Sequence, residues 1–309
     1  MNIFSLFRRV DNAAGQTGIF LSDNGVAAAQ VVKTRADERA KLTHCAFETG
    51  DSAPSLASAV RQMVSRKLPT VSVLPPTGYN LLLVEAPDVP DDELRAAVRW
   101  RIKDLIDFHI DDAVIDVFQM PTQGRGGPTQ MMYAIAARAD FVRNQIDALE
   151  NAGLKLDVID IPELSLRNVA ALLEEENRGV ALLYLADSYG VLLLVKQGIM
   201  YLTRRIETGA ATLRQADGMR SQLVAGLTLE TRRSLDYFES HYEQTSIPAL
   251  YTAGLDPEDQ DLIAQELSIS VRNVALTSVL QCETVLDDEL QRLCLPAIGA
   301  ALRSDPARL

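Results

Sequence analysis

Residues 18–32 read GIFLSDNGVAAAQVV and residues 180–195 read VALLYLADSYGVLLLV; these two stretches decide the fold. In the first, the apolar run Gly18–Leu21 meets the tight-turn signal Ser22-Asp23-Asn24-Gly25, and Val26–Val32 is apolar again. Asn-Gly between apolar runs is the strongest short-range hairpin signal, because both residues tolerate the positive φ such turns need. In the second, Val180–Leu185 is apolar, Asp187-Ser188-Tyr189-Gly190 supplies the turn and Val191–Val195 resumes. A further strand-like run follows each hairpin, Lys41–Phe47 and Ile199–Arg204, and helix-forming sequence follows that. A strand-turn-strand-strand-helix unit met twice predicts two α/β lobes, alike in layout rather than in residues.

The 309 residues agree with two domains at ~100–200 residues each. Apolar residues make up 47% and charged residues 23%, enough to bury a sizeable core. With 30 basic and 42 acidic side chains the net charge is −12, so the basic face that a nucleic-acid binder needs is missing. Three cysteines (Cys45, Cys282, Cys294) and three histidines (His44, His109, His241) form no metal-binding spacing, and the chain reads as a protein of a reducing compartment. His44 and Cys45 adjoin, but neighbours on a strand point to opposite faces.

Met1–Val10 places arginines after its apolar residues with no long apolar stretch behind, so no secretory signal is read there. Ile3, Phe4, Leu6 and Phe7 with Arg8 and Arg9 suit a membrane-surface segment as well as they suit a frayed start or a docking peptide. The greasiest region, Val180–Leu202, is broken by Asp187, Ser188, Gly190, Lys196 and Gly198, so it reads as paired buried strands rather than a spanning helix.

Between the lobes, Leu81–Glu85 reads as a strand. A helix follows on Leu94, Ala97, Val98, Ile102, Leu105 and Ile106, with Asp91, Asp92 and Glu93 expected in its first turn. Val114–Met120 and Met131–Ala137 read as strands, and the glycine-rich loop Gln123–Pro128 lacks the spacing of a phosphate loop. Arg138–Asn151, Glu163–Glu176, Gln222–Tyr242, Pro257–Leu267 and Glu289–Arg303 read as helices; Leu154–Ile159, Ala249–Ala253 and Val271–Leu276 read as strands. The acidic groups Asp91-Asp92, Asp111-Asp112, Glu174-Glu175-Glu176 and Asp287-Asp288 fall in helix starts and polar loops and read as solvated faces. Trp100 falls on the side of its helix opposite Leu94 and Val98, which suits a contact surface or packing between subdomains.

Five segments carry a family resemblance. They are Glu93–Trp100 running into Ile106-Asp107-Phe108-His109-Ile110-Asp111-Asp112, then Ile159-Asp160-Ile161 with Arg167, then Arg232–Phe238, then Tyr251-Thr252-Ala253-Gly254, and finally Pro296–Arg303. In this order they resemble the PilM-type assembly proteins of type IV pili, and within that group the MshI branch that serves the MSHA pilus. The resemblance implies the actin-like ATPase fold of the α/β class: two RNase-H-like lobes facing a nucleotide cleft, with a small α/β insert in the first. Residues 1–176 would then be the first lobe, its insert at about 80–138. Residues 177–309 would be the second, its C-terminal helix returning to the first.

That fold carries an acid and a glycine in each phosphate hairpin. Here Phe20 and Ser22 stand at those places in the first hairpin, and Tyr184-Leu185-Ala186 replaces Asp-x-Gly in the second. The adenosine-side turn keeps Gly254 but has Ala253 beside it. Phe20 and Tyr184 cannot ligate Mg²⁺ as carboxylates do. Asp23 and Asp187 lie nearby and read as turn formers. The expectation is a vestigial nucleotide cleft of Ser22, Asp23, Asn24, Gly25, Asp187, Ser188, Gly190 and Gly254, with no catalytic residue, no metal and no cofactor, weak nucleotide binding through the Gly25 and Gly190 backbone being left open. The resemblance further implies a scaffold at the cytoplasmic face of a bacterial inner membrane. It would hold the N-terminal peptide of a PilN-like bitopic protein in a groove between the first lobe and its insert, with Trp100 and Phe108 as candidate contacts, and would meet the hexameric assembly ATPase. The alternative left open is an active or slow ATPase whose nucleotide state switches the complex.

Overall fold

The computed structural model describes residues 15–32, 39–50, 52–63, 67–121, 130–216 and 218–304. The first-lobe sequence forms β1 (Gly15–Ser22), β2 (Gly25–Val32), β3 (Lys41–Thr49), α1 (Ser52–Gln62) and β4 (Thr70–Val73). The stretch after it forms β5 (Tyr79–Glu85), α2 (Leu94–Ile102), β6 (Ala113–Gln119), β7 (Met131–Arg138), α3 (Ala139–Asn151), β8 (Leu156–Asp160) and α4 (Pro162–Leu173). Then follow β9 (Val180–Leu185), β10 (Gly190–Lys196), β11 (Ile199–Ile206), α5 (Ala210–Gln215), α6 (Arg220–Tyr242) and β12 (Ala249–Ala253). The chain closes with α7 (Pro257–Leu267), β13 (Ser270–Asn273), β14 (Gln281–Cys282) and α8 (Asp288–Ala301).

The echo in the sequence is an echo in space. One sheet runs β14-β3-β2-β1-β4-β8 and another β11-β10-β9-β12-β13. Each has the antiparallel meander of its hairpin at one side and parallel strands at the other. The Asn-Gly signal closes the β1–β2 hairpin with Ser22 opposite Gly25, whereas Leu185 faces Gly190 across the longer second turn. A third sheet, β5-β7-β6, is covered by α2, with Val98, Ile102, Met132, Ala134 and Ala136 in a core of its own.

α8 ties the halves together. Although it lies at the end of the chain, it packs across β1, β2, β3 and β4 and against α4. Such close approach requires glycine. A Cβ on Gly18 would stand 1.8 Å from the Ala297 carbonyl oxygen, and one on Gly299 would stand 2.1 Å from that of Ser165. Asn168 Nδ2 donates to the Gly299 carbonyl at 2.9 Å, and Arg303 reaches the buried Asp160 at 2.9 Å. The adjoining β14 adds to β3 as an edge strand, so the first sheet is completed by residues from the far end of the sequence.

The differences from the sequence reading are local. Residues 91–93 form a turn before α2, closed by Glu93 N donating to Pro90 O at 2.9 Å, so the acids stand outside the helix. α2 stops at Ile102, and Leu105, expected on its apolar side, is 59% exposed. α4 stops at Leu173 because the Glu174 carboxylate turns to accept from Gly179 N at 2.8 Å and Gln197 N at 2.6 Å. Glu174 therefore braces a turn, and Glu175 pairs with Arg272 at 2.8 Å, so this acidic run is no simple solvated face. Val271–Leu276 shortens to β13 because the chain turns at Leu276, held by the Gln291 side chain on α8. The N-terminal segment with Arg8 and Arg9 and the loop Gln123–Pro128 lie outside the described residues. Among those described, no helix is long and apolar enough to cross a membrane.

Gly18→Ala should lower the unfolding free energy by about 1–3 kcal/mol, since backbone must move to admit the methyl group. Gly226→Ala, in the interior of α6 with nothing within 4 Å of its added Cβ, should raise it by about 0.5–1 kcal/mol. Urea unfolding of the two variants beside the parent protein checks both signs.

Candidate functional site

The two hairpin turns face each other across a cavity of about 450 Å³. Phe20, Ser22, Asp23 and Asn24 contribute from the first hairpin, and Tyr184, Asp187, Ser188 and Tyr189 from the second. Five of the eight expected cleft residues therefore meet: Ser22, Asp23, Asn24, Asp187 and Ser188. Gly25, Gly190 and Gly254 do not line the cavity. Gly254, at φ +99°, instead lets the β12 turn lie against Leu185 O and Arg292.

Asp187 is more than a turn former. Its Oδ2 accepts from Asn24 Nδ2 of the opposite hairpin. Its Oδ1 takes Arg292 Nη2 at 2.9 Å and Arg214 Nη2 at 3.3 Å. Arg292, 2% exposed, also donates to Leu185 O at 3.2 Å and to Glu289 at 2.6 Å and 2.9 Å. Burial works against the Arg292 charge, but the Glu289 hydrogen bonds and the carboxylates of Glu289 and Asp187 outweigh it and raise its pKa. The same hydrogen bonds hold the Glu289 carboxyl below its ordinary range. Tyr184 and Tyr189 are buried among apolar groups, which pushes both hydroxyls up.

The donor set does not suit a Mg²⁺–nucleotide. Phe20 and Tyr184 offer the metal no carboxylate, Asp187 is already bound to an amide and two guanidinium groups, and Asp23 stands exposed in its turn. Among the described residues no group of three or more His, Cys, Asp or Glu side chains is placed to hold a metal ion.

A second concavity, of about 390 Å³, opens between the insert, α4 and β11. Tyr79, Leu81 and Leu83 of β5 and Tyr133 of β7 form one side, Thr203 and Arg205 of β11 the other, and Glu163 of α4 the floor. β5 and β11 are each the outer strand of their sheet. Thr203 N donates to the Tyr133 hydroxyl at 3.3 Å, Thr203 Oγ1 is buried without a partner, and Tyr79 donates to Glu163 at 2.5 Å. Burial raises the Glu163 carboxyl above its ordinary value, against the Tyr79 hydrogen bond, which lowers it.

Neither sequence-based partner residue lines this groove. Trp100 stands 70% exposed on α2, and Phe108 packs against the insert's own core, drawn there by the apolar contacts it can bury. Sequence reasoning missed Arg214, Glu289 and Arg292. Glu289 and Arg292 carry a local signal, their three-residue spacing at the start of α8, but nothing in the sequence ties them to Asp187.

Against known proteins, a family model described as type IV pilus assembly protein PilM matches residues 61–216, just over half of the chain. The chain belongs to the PilM family. Of solved structures, the PilM–PilN type IV pilus biogenesis complex is similar over 94% of this chain and 98% of that one, with 21% identity and a TM-score of 0.72. The cytoplasmic domain of EpsL, an inner membrane component of the type II secretion system of Vibrio cholerae, is 15% identical over 92% of this chain and 94% of that one, at a TM-score of 0.49. A Bacteroides thetaiotaomicron protein with an actin-like ATPase fold is 7% identical over 91% and 95%, also at 0.49. No curated protein matches by sequence. The fold is that of the actin-like ATPases, as the family resemblance implied, and the doubled meander agrees with it.

Glu163 gives a pH test. Its folded pKa lies above the unfolded value of 4.5, so its contribution to stability is best at or below that value and is lost as pH rises towards the folded pKa. Glu163→Gln should remove this falling limb, and thermal unfolding from pH 4 upward checks it.

Proposed function

We propose that this PilM-family protein is a catalytically silent adaptor of a type IV pilus machine, of the MshI branch, at the cytoplasmic face of the inner membrane. The partner is a PilN-like bitopic protein whose N-terminal peptide lies extended in the groove beside β5. The observation that carries this reading is the groove itself, a half-apolar trough flanked by the outer strands of two sheets, the setting in which an extended peptide is captured as an added strand. Family membership and the likeness to a structure solved with PilN support the choice of partner. Contact with the hexameric assembly ATPase and peripheral residence at the membrane follow from the same reading. A chain of charge −12 is repelled by anionic lipid and needs a protein tether. The working units are residues 1–176, with the insert at about 80–138, and residues 177–309.

The cleft supports silence in two ways. The metal lacks its anchors, and phosphoryl transfer depends on them. The arginines that could meet phosphate charge are already neutralised by Asp187 and Glu289. Purified protein should therefore turn over Mg·ATP no faster than background in a coupled phosphate-release assay. Turnover by the parent protein that Asp187→Ala abolishes would establish the slow-ATPase alternative instead.

Leu83, 48% exposed on the groove wall, is the position that tests capture. Leu83→Arg should reduce co-fractionation with the bitopic partner at least tenfold while leaving the fold intact, and Trp100→Ala should leave it unchanged. Full membrane association after deletion of the partner would refute tethering.

A further inference from the structure

Asp187 is held as a ligand would be held. An amide from the first hairpin (Asn24), one guanidinium from α5 (Arg214) and one from α8 (Arg292) converge on its two oxygens from three separate parts of the fold. A planar cation pair with an amide around one small anion is the arrangement that proteins use for carboxylate and phosphate alike. We propose that Asp187 is a built-in anion: its carboxylate sits between the two hairpins where a phosphate group would bridge them, and it neutralises the cleft's arginines from within. The inference rests on the reading of the cleft as catalytically silent and adds what stands in the ligand's place.

Two further features point the same way. Tyr189 lines the same cavity with its hydroxyl buried and without a hydrogen-bond partner. The charges also close: Arg214 and Arg292 meet Asp187 and Glu289, so the parent cluster carries no excess positive charge to attract an anion. Removing the Asp187 carboxylate leaves two guanidinium groups against one acid, with Arg292 buried. The site then gains from any phosphate-class anion of the solution. The backbone of the turn that carries Asp187 is anchored, because Ala210 N and Ala211 N donate to the carbonyls of Ala186 and Asp187 at 2.7 and 3.1 Å.

The test uses the full chain and inorganic phosphate, with chloride at the same ionic strength as the reference. For Asp187→Ala, phosphate at ~10 times its dissociation constant should raise the unfolding midpoint by about 2–4 °C. The parent and Asn24→Ala, which both keep the carboxylate, should show no such rise. Adding Arg214→Ala to Asp187→Ala should abolish the response, which places it at this cluster. If Asp187→Ala fails to fold, Asp187→Ser, which keeps a turn-compatible polar residue, takes its place with the same expectation. A parent protein that answers phosphate as strongly as the variant overturns the proposal, and so does a folded variant that does not answer. Failure here in a protein without ATP turnover would overturn the role of Asp187 alone, whereas ATP turnover by the parent overturns the silent-cleft reading beneath it.

Discussion

The contact of α8 with β1 is the constraint on which the rest of the structure depends. Gly18 and Gly299 let a helix from the end of the chain lie on the first sheet and on α4 at distances no side chain would allow. This seating brings Arg292 of the same helix to the mouth of the cleft, where it meets the second hairpin through Leu185 O and Asp187. One helix therefore contributes to the core of the first sheet and to the electrostatics between the two. A burial of apolar surface by Leu295, Ala297 and Ile298 supplies the stability that allows an almost fully buried arginine to be kept.

The two concavities divide the chemistry. At the cleft, charged groups satisfy one another and leave little for a ligand. At the groove, the buried Thr203 hydroxyl lacks a partner and Leu83 stands exposed beside the outer strands β5 and β11. An outer strand beside apolar side chains is a place where an extended chain can add by backbone pairing and cover apolar surface. On the function we propose, an actin-like frame with a self-neutralised cleft and a peptide trough at its insert is suited to holding partners together rather than to cycling between states.

Much of this was legible in the sequence where the signal is local. The Asn24-Gly25 turn and the Asp187–Gly190 turn fixed both hairpins, because alternation of apolar runs and turn residues is a short-range property. Phe20 and Tyr184 were likewise legible as cleft residues of the two hairpins, and both line the cavity. Boundaries were less legible: α4 ends where the Glu174 side chain finds two backbone donors, one of them 23 residues away. The hub at Asp187 was not legible at all, since Arg292 lies 105 positions on, and a turn-forming aspartate looks the same whether or not arginines surround it. Trp100 does not line the groove beside β5 for a related reason. An exposed tryptophan marks a surface, but which cavity it borders depends on packing between subdomains, and the groove walls came from β5, β11 and α4 instead.

The central claim of the proposal is that partner capture is independent of nucleotide, because the cleft's arginines are paired with the protein's own carboxylates. Isothermal titration of the N-terminal peptide of the bitopic partner into the protein, with and without saturating Mg·ATP, tests it most directly. The account predicts one dissociation constant in both conditions, within a factor of about two, or ~0.4 kcal/mol of coupling. A tenfold change in affinity on adding nucleotide would contradict it and restore the cleft as a switch.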